Sequence, residues 1–268
     1  MLILNVPAWP QPSGCSDEFS QPTTVTAQIW KFVDMDSSSS GAVFVGGGTL
    51  DLSGRGADIF GAKNQFVMVS RSDIKGDFDV SVKLLSQTNT HEWAQAGILV
   101  ANNAENLPSG GYFVLDVSPL NGQTAFYDST APIGQLEKSK SVKPTAYPVW
   151  LRVKKASRKF SAWYKNAEAD AWKAIIENIS PLSTMDDSQI ALFSLSHNLS
   201  MDAHAVFDDF ACLNGTTGVA PLKQEALKHE SEGEAIPGPY AEPGKAVDAL
   251  GRDGDATGKA LRIRWHAR

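Results

Sequence analysis

Two cysteines in 268 residues are too few for a disulfide-rich miniprotein and too few for a structural zinc site. No apolar run approaches the roughly 20 residues that a membrane-spanning helix needs, which excludes a helical span. Basic residues are in the minority, 24 against 30 acidic, for a net charge of −6. Such a chain has no cationic field to hold a phosphate backbone, so nucleic acid is excluded as a partner. Helical periodicity is missing as well. Between Ser16 and about Leu213 no segment keeps apolar residues at i, i+3, i+4, i+7 over three turns.

What is present is alternation with period two, the mark of half-buried strands. Phe78, Val80, Val82 and Leu84 alternate with Asp77, Asp79, Ser81 and Lys83. Leu151 and Val153 alternate with Trp150, Arg152 and Lys154, and Phe160, Ala162 and Tyr164 with Ser161, Trp163 and Lys165. Further strands are expected over 49–52, 66–71, 92–101, 111–118, 124–128, 171–177, 190–196 and 204–213. Glycine-rich and Asn-Gly punctuation separates them, at Gly46-Gly-Gly48, Lys75-Gly-Asp77, Pro108-Ser-Gly-Gly111 and Pro119-Leu-Asn-Gly122. These dipeptides supply the positive φ of tight turns. A dozen or so short strands without helices predict an all-β fold, a two-sheet antiparallel jelly-roll sandwich. The length suits one such domain with a tail, and a chain this size can bury about 70% or more of its unfolded surface.

Residues 1–14 read as a leader or N-terminal extension: apolar, interrupted by Pro7 and Pro10, and lacking the positive start of a secretory signal. The sandwich is expected over 15–214. Residues 215–268 read as a linker and low-complexity tail, with Pro237-Gly-Pro239 and Pro243-Gly244 breaking any helix. At its end Leu261, Ile263 and Trp265 alternate with Arg262, Arg264 and His266. That basic terminus is a sorting tag, an added edge strand or the stump of a longer chain.

An ordered set of motifs runs through 15–214: Cys15-Ser-Asp-Glu-Phe19, Trp30, Gly48-Thr-Leu-Asp-Leu52, Asp58-Ile-Phe-Gly61, Lys75-Gly-Asp-Phe-Asp-Val80 and Trp93-Ala-Gln-Ala-Gly-Ile-Leu-Val100. Val149-Trp-Leu-Arg-Val153, Phe160-Ser-Ala-Trp-Tyr164, Trp172 and Ala205-Val-Phe-Asp-Asp-Phe210 complete it. The set resembles the concanavalin A-like lectin/glucanase superfamily, in particular the "regulation of enolase"-type sandwich domains of bacterial carbohydrate-associated proteins. The resemblance implies two curved antiparallel sheets, one of which often forms a concave sugar-binding or catalytic surface. It implies no particular activity, because fold is not function.

In that superfamily the terminal strands run side by side. The resemblance therefore implies a disulfide between Cys15, before the first strand, and Cys212, in the last. The alternative is two buried thiols that never meet. Closed, the bond contributes about 4–5 kcal/mol in the chain-entropy model and places the protein in an oxidising compartment, extracellular or in the cell envelope. Superfamily members also often hold a structural Ca²⁺ near the paired termini. Asp17 and Asp209 are the matching oxygen donors, with Glu18 and Asp208 as substitutes. The alternative is a set of solvated acids beside Phe19, Phe207 and Phe210, and no cofactor is otherwise required.

Strand parity gives a candidate contact set. If the apolar partners point inward, Trp93, Gln95, Tyr112, Asp116, Arg152 and Trp163 point outward, aromatic rings interleaved with polar groups. Sugar recognition uses this mixture, with flat rings against the C–H face of a pyranose and fixed polar groups on its hydroxyls. The competing reading makes tryptophans such as Trp93 and Trp150 core residues under loops, and a single bulge inverts part of the face.

Catalytic signatures are missing. Glucanases of this fold need paired carboxylates about 5–5.5 Å apart, commonly in a Glu-x-Asp-x-x-Glu strand, and no such spacing occurs. Tyr112, His91 and Arg152 fit a lyase only by assembly. The five histidines, His91, His197, His204, His229 and His266, lack metal-ligand spacing. Asp253-Gly-Asp-Ala-Thr-Gly258 starts as a calcium loop but reaches Arg264 where a glutamate belongs. The sequence thus predicts a non-catalytic module that binds polysaccharide on the concave sheet. Its alternatives are a structural or docking module of a larger secreted assembly and a glycan-cleaving hydrolase or lyase.

Overall fold

The computed structural model describes residues 15–20, 29–35, 41–60, 63–107, 111–127, 138–181, 188–214 and the strand 261–264. The leader, the linker and the aborted calcium loop read from the sequence lie outside the described residues. By its internal contacts the chain divides into Met1–Thr216 with Ala260–Arg268, and Thr217–Lys259.

Strands are the named elements among the described residues. They are β1 (Lys31–Asp34), β2 (Ala42–Gly46), β3 (Thr49–Gly54), β4 (Ile59–Phe60), β5 (Lys63–Asn64), β6 (Val67–Arg71), β7 (Phe78–Gln87), β8 (Gln95–Ala101) and β9 (Tyr112–Ser118). They continue with β10 (Gly122–Tyr127), β11 (Lys138–Val142), β12 (Val149–Ala156), β13 (Lys159–Lys165), β14 (Lys173–Ile179), β15 (Gln189–Leu195), β16 (Ala203–Asn214) and β17 (Leu261–Arg264). Two antiparallel sheets result, ordered β1-β6-β15-β8-β9-β10-β11 and β14-β13-β12-β7-β16-β3-β2-β17, with β4 and β5 as a separate hairpin. The basic terminus is thus an edge strand, pairing Leu261 with Val45 and Arg264 with Ala42.

Alternation builds the main core. In β7 the residues Phe78, Val80, Val82 and Leu84 are buried while Asp79, Ser81 and Lys83 are half-exposed. They pack with Leu151, Val153 and Phe160 of the same sheet against Ile98, Phe113, Leu115 and Leu192 of the other. Burying each such side chain is worth about 1.5–3 kcal/mol.

The seven-stranded sheet departs from simple alternation. β6, β8 and β9 are buried at every position. A second apolar layer, with Met68, Leu99, Tyr112, Val114 and Phe193 from the sheet and Ile59, Ala104 and Leu107 from connecting segments, covers its outer face. At Gly97 the neighbouring strand comes so close that a Cβ would lie 2.1 Å from the Leu115 carbonyl oxygen.

The first and last segments of the sandwich are tied as the resemblance implied. Cys15 and Cys212 form a disulfide with their Cα atoms 5.2 Å apart. Asp17 and Phe210 exchange backbone hydrogen bonds beside it. Arg71 donates to the Cys15 carbonyl and stacks over Trp30, with its guanidinium 5.1 Å from the ring centre.

Candidate functional site

The structure places the six expected contact residues on two sheets rather than on one surface. Trp93 precedes β8, Gln95 begins it, and Tyr112 and Asp116 lie in β9, all belonging to the seven-stranded sheet. Arg152 and Trp163 lie in β12 and β13 of the eight-stranded sheet. Gln95, Tyr112, Asp116, Arg152 and Trp163 occupy strand positions outside the main core cluster, and Trp93 sits in the loop before β8. Parity cannot say which sheet a strand joins, and here the two outer faces are opposite sides of the sandwich.

On the seven-stranded sheet the outward positions are covered. Tyr112 is fully buried in the second apolar layer, so its ring is not a surface platform. Gln95 and Asp116 are buried too. Both carboxylate oxygens of Asp116 are enclosed, and no side chain among the described residues donates to them. Desolvation, and then the nearby Asp58 carboxylate, push the Asp116 pKa well above the usual range, so the neutral acid is favoured. Only Trp93 of these four reaches solvent, at 41% exposure. It sits in a loop where its N–H donates to His91 and where Asn121 donates to the Glu92 carbonyl.

The eight-stranded sheet presents an open array. Trp150 on β12 lies between Lys83 of β7 and Lys165 of β13, its cross-strand neighbours, with ammonium-to-ring distances of 5.2 and 5.5 Å. Lys165 also approaches Trp172, at 5.1 Å. Arg152 lies 5.5 Å from Trp172 and 5.2 Å from Trp163. All three indoles are partly exposed. Such contacts are worth about 0.5–1 kcal/mol each at exposed sites and fix ring orientation.

Carboxylates hold Arg152 and Lys83, and Lys165 donates to the Glu168 backbone carbonyl. Arg152 donates through Nε and Nη2 to both oxygens of Asp79, at 2.7 and 2.5 Å. Those bonds, partly offset by burial, raise its pKa further. Lys83 pairs with Asp208 at 3.3 Å, and the Trp163 N–H donates to Glu177. Across β13–β14 the partner of Trp163 is Ala174, exposed and too small to cover a ring. The face therefore combines three indole rings with charged donors and acceptors in fixed positions. Trp150, Trp172, Lys83 and Lys165 join the site beside the expected Arg152 and Trp163. Trp172, just before β14, carries no alternation signal of its own.

Of the expected calcium donors, Asp17 is engaged within the fold and Asp209 is not. Asp17 accepts the Phe19 N–H on one oxygen and the Trp30 indole N–H on the other. Asp209 is exposed at a positive φ of 51°. No group of three or more His, Cys, Asp or Glu side chains suited to a metal occurs among the described residues.

No family model matches the sequence, and no curated protein matches it. Solved structures do match. A functionally unknown protein from Saccharomyces cerevisiae is 13% identical with a TM-score of 0.53, over 71% of this chain and 98% of that one. A mutant of the GH43 protein BlXynB from Bacillus licheniformis is 19% identical with a TM-score of 0.56, and the match covers 79% of this chain but only 41% of that chain. A glycosyl hydrolase family 16 protein from Mycobacterium smegmatis is 10% identical with a TM-score of 0.50, over 74% and 98% of the two chains. At these identities the likeness is one of fold. The fold is the concanavalin A-like two-sheet sandwich, shared with glycoside hydrolases.

Proposed function

We propose that the protein is a carbohydrate-binding sandwich, of the "regulation of enolase" type, that takes polysaccharide on the outer face of its eight-stranded sheet without cleaving its glycosidic bonds. One observation carries the reading: Trp150, Trp163 and Trp172 stand partly exposed on one face with Arg152, Lys83 and Lys165 fixed among them. Indole rings match the apolar face of a pyranose, and Arg152, Asp79 and Glu177 offer hydrogen-bonding groups to its hydroxyls. The side of Trp163 toward Ala174 is where a sugar ring would stack. The Cys15–Cys212 bond supports an oxidising setting, extracellular or in the cell envelope. Neither calcium nor another cofactor is part of the reading.

Isothermal calorimetry against a panel of plant and algal polysaccharides tests it. Binding to at least one is expected, and a blank panel overturns it. A second reading has its own observation. Trp150 has a cation on each side, which suits a rigid docking scaffold whose rings need no ligand. A blank panel beside an unchanged fold favours that scaffold.

A further inference from the structure

Away from the tryptophans, the outer face of the same sheet brings together a serine, a histidine and an aspartate in hydrogen-bonding order. Asp51 and Ser53 are two apart on β3, so they share the outward side while Leu50 and Leu52 enter the core. His204 on β16 is the cross-strand partner of Ser53. Its Nε2 lies 3.4 Å from Ser53 Oγ, and its Nδ1 lies 3.3 Å from Asp51 Oδ1. The carboxylate selects the tautomer. It accepts the Nδ1 proton, which leaves the Nε2 lone pair facing the serine hydroxyl. These distances are loose, as catalytic hydrogen bonds often are without substrate.

The three side chains line one cavity with Ala42, Val43 and Phe44, about 90 Å³ in volume. That recess suits a small group such as an acetyl rather than a sugar ring. Ser53 is buried at the wall, whereas His204 stays exposed toward solvent. A nucleophile, its base, the group that orients the base and a recess for a small acyl group thus coincide.

The geometry points to an acyl-transfer site in which Ser53 cleaves esters of short acyl groups. Ser53 Oγ forms a bond to the ester carbonyl carbon as its proton passes to His204 Nε2. The carbon–oxygen bond to the alcohol then breaks, and the alkoxide takes that proton from His204. Water, activated by His204, attacks the acyl-serine, and its proton returns through His204 to Ser53. The reaction consumes one water and releases one acid and one alcohol, with no redox change. Asp51 acts through His204 and is a positioning residue. β3 is an interior strand paired to β2 and β16, so its N–H groups are committed to the sheet ladders and supply no oxyanion hole. That restricts the site to esters with good leaving groups and excludes amides, because losing such donors costs about 10²–10³ in rate. This inference does not rest on glycan binding.

Hydrolysis of p-nitrophenyl acetate by the full chain tests it, with a fluorophosphonate probe and mass spectrometry to locate the reactive residue. The wild type is expected to turn over the ester and to be labelled at Ser53. Ser53→Ala and His204→Asn each lower the rate by about 10²-fold or to background, the usual worth of nucleophile and general base. His204→Asn substitutes an exposed side chain, so it reads out chemistry even if Ser53→Ala perturbs packing. Asp51→Asn lowers kcat with KM and Tm unchanged, and Asp51→Glu restores part of the loss. Hydrolysis unchanged in folded His204→Asn, no hydrolysis by the wild type, or labelling at a residue other than Ser53 overturns the assignment.

Discussion

The guanidinium of Arg152 lies 5.2 Å from the ring centre of Trp163 while its Nε and Nη2 grip the two oxygens of Asp79. One side chain thus joins β12 to β7 through an ion pair and to β13 through an aromatic contact. Arg152→Ala removes both and leaves Asp79, itself only partly exposed, without its partner. The expected loss is about 2 kcal/mol, from charged hydrogen bonds worth about 1.5–3 kcal/mol offset by regained solvation. Chemical denaturation measures it, and an unchanged midpoint contradicts it.

The disulfide spans 197 residues of sequence. Loop-closure entropy gives such a bond about 5 kcal/mol. The Cys15→Ala, Cys212→Ala double variant is expected to lose most of that in urea unfolding. A loss below about 1 kcal/mol would mean that the terminal strands hold without the bond.

Asp116 makes stability depend on pH in an uncommon direction for a carboxyl group. Its pKa is raised on folding, chiefly by desolvation and then by Asp58, so the folded state holds the proton more tightly than the unfolded state. Its contribution is fully present below the unfolded value near 3.9 and is lost as pH rises through the folded value. Asp116→Asn removes that titration. Relative to the variant, the wild type should therefore weaken as pH rises above about 4. Urea midpoints that run parallel for the two proteins across this range contradict the assignment.

The sequence made the eight-stranded sheet legible because that sheet is amphipathic. β7 and β12 alternate buried and half-exposed positions, and the outward Trp150, Arg152 and Trp163 are where the alternation puts them. The seven-stranded sheet was legible only as strands. β8 and β9 carry apolar residues on both faces, and Tyr112 is clustered with Ile59, distant in sequence, and with Ala104 and Leu107 of the segment between β8 and β9. Alternation reports which side of a strand a residue occupies, not what lies above it. The expectation of one interleaved surface failed at that point. His204 was equally unreadable, because its meeting with Ser53 depends on β16 pairing with β3, 151 residues apart. The disulfide came from resemblance, not from spacing.

Tyr112 and Trp163 therefore behave oppositely when truncated. Tyr112→Ala opens a cavity in the second apolar layer and is expected to cost about 3–5 kcal/mol. Denaturant unfolding measures it, and a cost under about 1 kcal/mol would show that the layer does not pack as described.

The most direct measurement is the affinity of wild type and Trp163→Ala, by calorimetry, for a polysaccharide that the wild type binds, alongside their melting temperatures. The expected result is a loss of about tenfold in affinity, about 1.4 kcal/mol, with Tm lowered by no more than about 2–4 °C. Equal affinities in two folded proteins would remove the tryptophan face from glycan recognition.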